Sequence, residues 1–196
     1  MSNKPTILNK KTIATSRLFR IESLDIQFSN GECRNYERLA RGRAGGAVLI
    51  VPLLDDETVL LIREYSAGVH RYELGLPKGK TDEGETFLEA ANRELKEEVG
   101  YGANHLHHLS TFSLAPAYLE HPTEIIVAQD LYPEKLLGDE PEELEVIPWK
   151  LRYINELLMT GECTEARSIA ALFMTVEYLK SNRIILDNLA NDFLAE

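Results

Sequence analysis

Cysteine is almost missing from this sequence. Cys33 and Cys163 are the only two among 196 residues, too few for a disulfide framework or a thiolate metal site closed by one chain. Redox chemistry is therefore set aside, and both thiols are expected to be buried or inert. No stretch approaches the roughly 18 uninterrupted apolar residues of a membrane span. The N-terminus offers Lys4, Lys10 and Lys11 with no apolar block behind them, unlike a secretory signal. The expectation is a soluble, cytoplasmic protein. Positive charge is also in short supply. Lys and Arg number 21 against 32 Asp and Glu, a net charge of −11, which argues against nucleic acid or an anionic membrane as the main partner. What the chain does have is apolar residues, 44% of the total, enough for the core of one ordinary domain with an arm.

The charge is unevenly spread. Residues 1 to 50 carry nine basic and four acidic side chains, so the rest of the chain carries a net −16. Ten of those sixteen charges fall in two short segments. Residues 82 to 98 hold seven acids and two bases, and residues 139 to 145 hold five acids and no base. Acid at that density calls for a cation.

Along the chain, residues 17 to 39 read as a β-hairpin that turns at Ser29-Asn30-Gly31, with Arg34, Arg38, Arg41 and Arg43 on or just after its return strand. Gly45 and Gly46 open a continuous apolar run, Ala47 to Val51, ended by Pro52. A second run, Val59 to Ile62, exits into Arg63-Glu64-Tyr65. Both predict strands buried on two faces. Three glycines and a proline between residues 74 and 84 predict a loop. From Thr86 to Val99 the pattern turns helical, with Leu88, Ala91, Leu95 and Val99 on one stripe and Gly100 as the stop. Strands are expected near 106–115, 123–131 and 144–149. Helices are expected near 151–159 and 164–180, the second turning Ile169, Leu172, Phe173, Val176 and Leu179 inward. That order predicts an α/β (α+β) protein, a mixed sheet between helices. His107 and His108 read as surface residues on a strand, and Trp149 as core.

On the helix, Glu94, Glu97 and Glu98 stand at i, i+3 and i+4, within one wedge of about 100°. Like charges so placed repel, and cost a few tenths of a kcal/mol per pair unless something positive lies against them. A solvated acidic face is the plain alternative. The preceding loop shifts the balance. Residues 79 to 101 read GKTDEGETFLEAANRELKEEVGY, and Gly79, Glu85, Arg93, Glu94, Leu95, Glu97, Glu98 and Gly100 fall in register on the pattern G-x5-E-x7-R-E-U-x-E-E-x-G-U, where U is a bulky aliphatic. Only Tyr101, at the final U, departs from it. By these residues the chain is identified as a member of the Nudix hydrolase family.

The resemblance implies hydrolysis of a nucleoside diphosphate linked to another group, with Mg²⁺ as cofactor and Mn²⁺ as a substitute. Hard oxygen ligands converging from one helix face suit such ions. Glu94 and Glu98 are the first candidate ligands, and Glu97 is a ligand or proton acceptor. Arg93 would orient the carboxylates through its planar fork. Glu85 and the Gly79 carbonyl would complete the metal set from the loop. Segments outside the box, KPTILN at 4–9, IVAQDLYPE at 126–134, GDEPE at 138–142 and EAR at 165–167, resemble the branch that acts on ADP-linked compounds. Pro116 fits the ADP-ribose hydrolase pattern. That branch cleaves ADP-ribose, NADH and short diadenosine polyphosphates and releases AMP. Motifs of dedicated NADH and coenzyme A pyrophosphatases are absent.

Two features resemble diadenosine-polyphosphate hydrolases, an alternative main activity. Pro77-Lys78-Gly79 matches their loop, with Lys78 placed to screen a phosphate, and Tyr118 lies where a stacking tyrosine is expected. A non-catalytic ADP-ribose or NAD sensor is the other alternative; it would need a damaged box or an added DNA-binding domain. In ADP-ribose hydrolases a loop in the place of residues 139–145 delivers a water-activating glutamate. That role falls first on Glu142, with Glu140 and Glu143 as alternatives. Residues 1–44 resemble the arm through which such hydrolases exchange contacts as homodimers, bringing Arg34, Arg38 or Arg41 to the partner's diphosphate. Residues 45–185 would form the hydrolase domain and 186–196 a tail. Arg63 and Glu64, leaving a core strand ahead of the substrate loop, are further nucleotide-contact candidates.

Overall fold

The computed structural model describes residues 3–42 and 46–193. Arg43, Gly45 and the expected division between residues 44 and 45 lie outside the described residues. Two sheets account for the strands. The first has three antiparallel strands, β1 (Thr6–Thr15), β2 (Arg20–Gln27) and β3 (Cys33–Leu39), in the order β1-β2-β3. The second has β4 (Ala47–Asp55), β5 (Thr58–Ser66), β6 (Arg71–Gly75), β7 (Lys78–Lys80), β8 (Tyr101–Ser113), β9 (Pro122–Pro133) and β10 (Glu145–Lys150). Its main path runs β10-β5-β4-β9-β8, with β6 against β5 and β7 against β4. Only β4 and β9 pair in parallel; the rest is antiparallel.

The continuous apolar runs are explained by burial on both faces. Strand side chains alternate between faces. Leu49, Val51 and Leu53 of β4, Val59 and Leu61 of β5, and Ile125 and Val127 of β9 pack in one cluster with Leu151, Ile154, Leu157 and Leu172. The alternate residues Val48, Ile50, Leu60, Ile62, Ile126 and Ala128 pack in a second cluster with Ala90, Ala91, Leu95 and Val99. Helix α1 (Phe87–Glu98) thus covers one face, and α2 (Ile154–Met159) with α3 (Ala166–Phe193) covers the other. This is the Nudix fold the sequence predicts. Truncating a fully buried side chain such as Leu49 to Ala would cost about 2 to 5 kcal/mol.

Several local expectations change. The run does not stop at Pro52, because β4 continues to Asp55. On the edge where Ile50 N–H donates to the Pro77 carbonyl at 2.9 Å, β7 pairs residues 47–49 and β5 pairs from Leu53 onward. Pro52 falls in the gap, so its missing N–H breaks no ladder bond. The expected loop at 74–84 holds the end of β6 and all of β7, whose Lys78, Gly79 and Lys80 oppose Leu49, Val48 and Ala47. Leu88 and Phe173, expected inside, are 40% and 41% exposed; Ala90 takes the inner place on α1, and Ser168, Ala171 and Thr175 on α3. The backbone of α3 runs on to Phe193; residues 194–196 lie outside the described residues.

The N-terminal hairpin carries a third strand that the sequence pattern did not suggest. All ten residues of β1 are exposed, so no buried face prints a period-2 pattern. The sheet is tied to the main body at the loop before β9. Leu39 N–H donates to Tyr118 O at 2.8 Å, and Glu120 N–H donates to Leu39 O at 2.9 Å. Among the described residues no helix is long and apolar enough to cross a membrane.

Candidate active site

Helix α1 starts at a capping box. Thr86 Oγ1 accepts from Glu89 N–H at 3.2 Å, and the Glu89 carboxylate accepts from Thr86 N–H at 2.9 Å, which satisfies two of the donors a helix start leaves free. Val99 caps the other end and Gly100, at φ 83°, takes the left-handed turn beyond it. With Ala90, Ala91 and Leu95 in the core, the helix phase is fixed. Glu94 and Glu98 are consequently buried, at 9% and 5% exposure, beside β7.

The positive group that these acids require is Arg93. Its Nε and Nη2 donate to the two Glu85 oxygens, each at 3.0 Å. Nη1 donates to Glu94 at 2.9 Å and Glu97 at 3.1 Å, and Nη2 also reaches the Lys80 carbonyl at 2.8 Å. One guanidinium therefore ties three glutamates to β7, a fork geometry that an ammonium cannot reproduce. The Arg93 contact holds the Glu85 carboxyl below its ordinary range against some burial, and these partners push the Arg93 pKa upward.

Glu98 differs from these. Its carboxylate accepts the Lys78 backbone N–H at 2.9 Å, but burial dominates and pushes its pKa up to about 8. Burial also raises Glu94, against the pull of Arg93. At Gly79 the fit is closed: any Cβ there would overlap the Glu94 carboxylate. Lys78 Nζ is ion-paired with Glu64 on β5. The arrangement therefore joins Lys78, Gly79, Glu85, Arg93, Glu94, Glu97 and Glu98, with Glu64 at its margin.

The donor set fits a hard divalent cation. It offers carboxylate oxygens at raised electrostatic cost and a backbone held close by a missing side chain. Among the described residues no three His, Cys, Asp or Glu side chains stand as a ready-made ligand cage; Glu85, Glu94 and Glu97 turn oxygens to Arg93 instead.

The other sequence candidates lie outside the Arg93 hydrogen-bond network. Arg63 bonds Glu145 at 2.8 Å and Glu162 at 3.0 Å. Arg38 is held by Glu22 at 3.0 Å and by Glu120 at 3.1 Å, and Arg34 by Glu32 at 2.6 Å. Arg41 approaches Gly46, where its Nη2 would lie 3.2 Å from an added Cβ. Tyr118 is 58% exposed and helps line a cavity of about 470 Å³ between the first sheet and the loop before β9. Glu142 and Glu143 are exposed, and Glu140 is half-buried. His107 stacks on Tyr178 with ring centroids 5.0 Å apart, and His108 meets Glu124 at 2.7 Å. Cys163 is buried, with burial pushing its thiol to about 11, whereas Cys33 is exposed. Sequence reasoning missed Tyr72, whose hydroxyl donates to Glu142 at 2.7 Å, and the Lys80 carbonyl under Arg93. The Tyr72 bond joins residues seventy positions apart, and Lys80 is placed by pairing with Ala47, so no local pattern announces either.

Residues 44–172 match the NUDIX domain, and residues 5–38 match the NudE-type Nudix hydrolase N-terminal domain. The chain belongs to the Nudix hydrolase family. It is 54% identical over 177 residues to ADP compounds hydrolase NudE of Escherichia coli K12, covering 90% of this chain and 94% of that protein. It is 27% identical over 169 residues to ADP-ribose pyrophosphatase of Bacillus subtilis, covering 84% and 91%. A crystal structure of an ADP compounds hydrolase superposes with a TM-score of 0.85 at 52% identity, covering 93% of this chain and 97% of the other.

Proposed function

We propose that the protein is a Mg²⁺-dependent pyrophosphohydrolase that cleaves the diphosphate of ADP-linked compounds, among them ADP-ribose, NADH and diadenosine polyphosphates, and releases AMP. The observation that carries this reading is the Arg93 fork, which gathers Glu85, Glu94 and Glu97 beside buried Glu98 and bare Gly79. The similarity to ADP compounds hydrolase NudE over most of both chains supports the substrate class.

The Gly79 carbonyl, Glu85, Glu94, Glu97 and Glu98 would hold the ion. When bound, Mg²⁺, or Mn²⁺ in its place, neutralises the diphosphate and acidifies a water. Arg93 keeps the carboxylates aimed, so the site is organised before substrate arrives. Glu97 serves as ligand or proton acceptor. Lys78, released from Glu64, screens a phosphate oxygen, while Glu64 and Arg63 border the path by which the nucleotide enters. The acidic loop supplies a further glutamate to the reacting water.

Diadenosine polyphosphates as the main substrate are favoured by one specific observation: the Lys78 ammonium, paired with Glu64 and close enough for its charge to act on Glu98, stands where a longer phosphate chain would need a cation. The intact box speaks against a purely sensing role. The enzyme is also read as a cytoplasmic C₂ homodimer. Support for pairing comes from exposed Ile7, Leu8 and Ile13 on β1 and from exposed Leu18 and Phe19 beside it, apolar surface that a second copy would cover. In that dimer Arg41 reaches the partner's diphosphate more readily than Arg34 or Arg38, which are already ion-paired. Sedimentation checks this: a dimer is expected, and an active monomer would refute it.

The substrate reading is tested with Mg²⁺ and a panel of ADP-ribose, NADH, diadenosine tri- and tetraphosphate and ADP-glucose, followed by phosphorus NMR in ¹⁸O-water. AMP release from at least ADP-ribose or NADH is expected. Turnover of none would sink the proposal.

A further inference from the structure

The acidic loop is pinned at two ends. Where it leaves β9 it is fastened to the C-terminal part of α1: Lys96 pairs with Glu134 at 2.9 Å, Lys135 Nζ donates to Glu97 O at 2.7 Å, and Leu136 N–H donates to Lys96 O at 3.2 Å. Where it approaches β10, Glu142 accepts the Tyr72 hydroxyl at 2.7 Å. Tyr72 stands on β6 opposite Tyr65 of β5, and their rings meet edge to face at 5.7 Å. Tyr65 is bonded in turn to His70 in the hairpin turn. The phenol that holds Glu142 is thus itself braced by a paired strand and two rings.

Between the pins, Leu137 is 96% exposed, and Asp139, Glu142 and Glu143 are exposed as well. Glu140 alone among the four acids of residues 139–143 is half-buried. Its carboxylate folds back over Gly138, where any Cβ would overlap it.

We propose that Tyr72 is a positioning residue whose bond to Glu142 latches the acidic loop, so that Glu140, turned inward across Gly138, is the carboxylate offered to the reacting water. Glu142 is then the latch's acceptor rather than the base. The inference rests on the diphosphate-hydrolase reading of the α1 site. In the step it serves, one water proton passes to a Glu140 oxygen as the water oxygen bonds to phosphorus. The bridging P–O bond breaks and its electron pair leaves with the departing phosphate.

The test uses the full chain with Mg²⁺ and ADP-ribose. Tyr72→Phe removes the donor and is expected to lower kcat about tenfold with KM unchanged, as a misplaced group does. Glu142→Ala should give the same loss, and the two together no more than either alone. Glu142→Gln, whose amide oxygen still accepts the phenol proton, should recover most of the Glu142→Ala loss. Glu140→Gln should lower kcat by about 10² to 10⁴. Additive losses for Tyr72 and Glu142, or a Glu142→Gln defect as deep as that of Glu140→Gln, would overturn the proposal.

A second readout needs no turnover. In hydrogen exchange on the free protein, Tyr72→Phe should speed the amides of residues 137–143 about tenfold while those of α1 stay at wild-type rates. Unchanged exchange in the loop overturns the latch. Wild-type protein that cleaves no ADP-linked compound would overturn the proposed function instead, and the exchange result would then decide the latch alone.

Discussion

Segments 82–98 and 139–145 carry equal net charge, −5 each, yet the fold treats them in opposite ways. In the first, a helix phase fixed by Ala90, Ala91 and Leu95 buries Glu94 and Glu98, and Arg93 binds three glutamates at about hydrogen-bond length. In the second, three of the five acids stand free in solvent or on one phenol, and only Glu140 among residues 139–143 is half-buried. Charge density alone therefore does not distinguish a built site from an acidic loop. The guanidinium fork and the buried backbone around it do, because burial makes an unmatched carboxylate costly and a matched one rigid.

That contrast is most sharply broken on the helix. Glu98→Gln should reduce turnover at least about 10³-fold, since in the proposed site it takes away a carboxylate that would hold the divalent ion. Calorimetric Mn²⁺ titration should show the binding lost while the circular dichroism spectrum holds. Arg93→Lys keeps the charge and loses the fork, so a loss of about 10² in kcat is expected, with metal affinity weakened. Equal activity in that variant would mean that charge, not geometry, organises the glutamates.

In the loop the effects shrink. Gly138→Ala forces the Glu140 carboxylate out of its fold-back, and kcat should fall about tenfold at unchanged metal affinity. An equal loss of metal binding would erase the distinction drawn between the two segments. The smallest effect lies in stability. Burial opposes ionisation of Glu73 and Glu165, but bonds from Thr164 and Arg71 in the one case, and from Arg167 and Ser168 in the other, hold both carboxyls below the ordinary 4.5. Their folded pKa values are depressed, so their contribution is present above pH 4.5 and fades as pH falls through the lower folded values. Urea midpoints should therefore fall once the pH drops below 4.5, and Glu73→Gln should flatten that fall relative to the wild type. Neutralising Glu143, which is exposed, should leave it in place.

How much of this the sequence discloses follows from where the information lies. The buried strands β4, β5 and β9 were legible because burial on two faces writes an unbroken apolar run. Helix α1 was legible because its box residues, apolar stripe and stop are local. β1 was not, since Thr6 to Thr15 bury no face, and β7 was not, since Lys78 to Lys80 are strand only by pairing with Ala47 to Leu49. Leu88 and Phe173 continued apolar periodicities past the packed surface. Within the candidate site, residue types and spacing pointed to Arg93 and the four glutamates that the structure groups with Gly79. The order among Glu140, Glu142 and Glu143 was not legible, because it depends on Tyr72, seventy positions from Glu142.

The most direct test is AMP release from ADP-ribose followed at increasing Mg²⁺, then after chelation and re-addition of the metal. The account predicts saturable turnover that vanishes with the chelator and returns with Mg²⁺ or Mn²⁺. Undiminished hydrolysis in excess chelator, or none with metal on any ADP-linked compound, would contradict it.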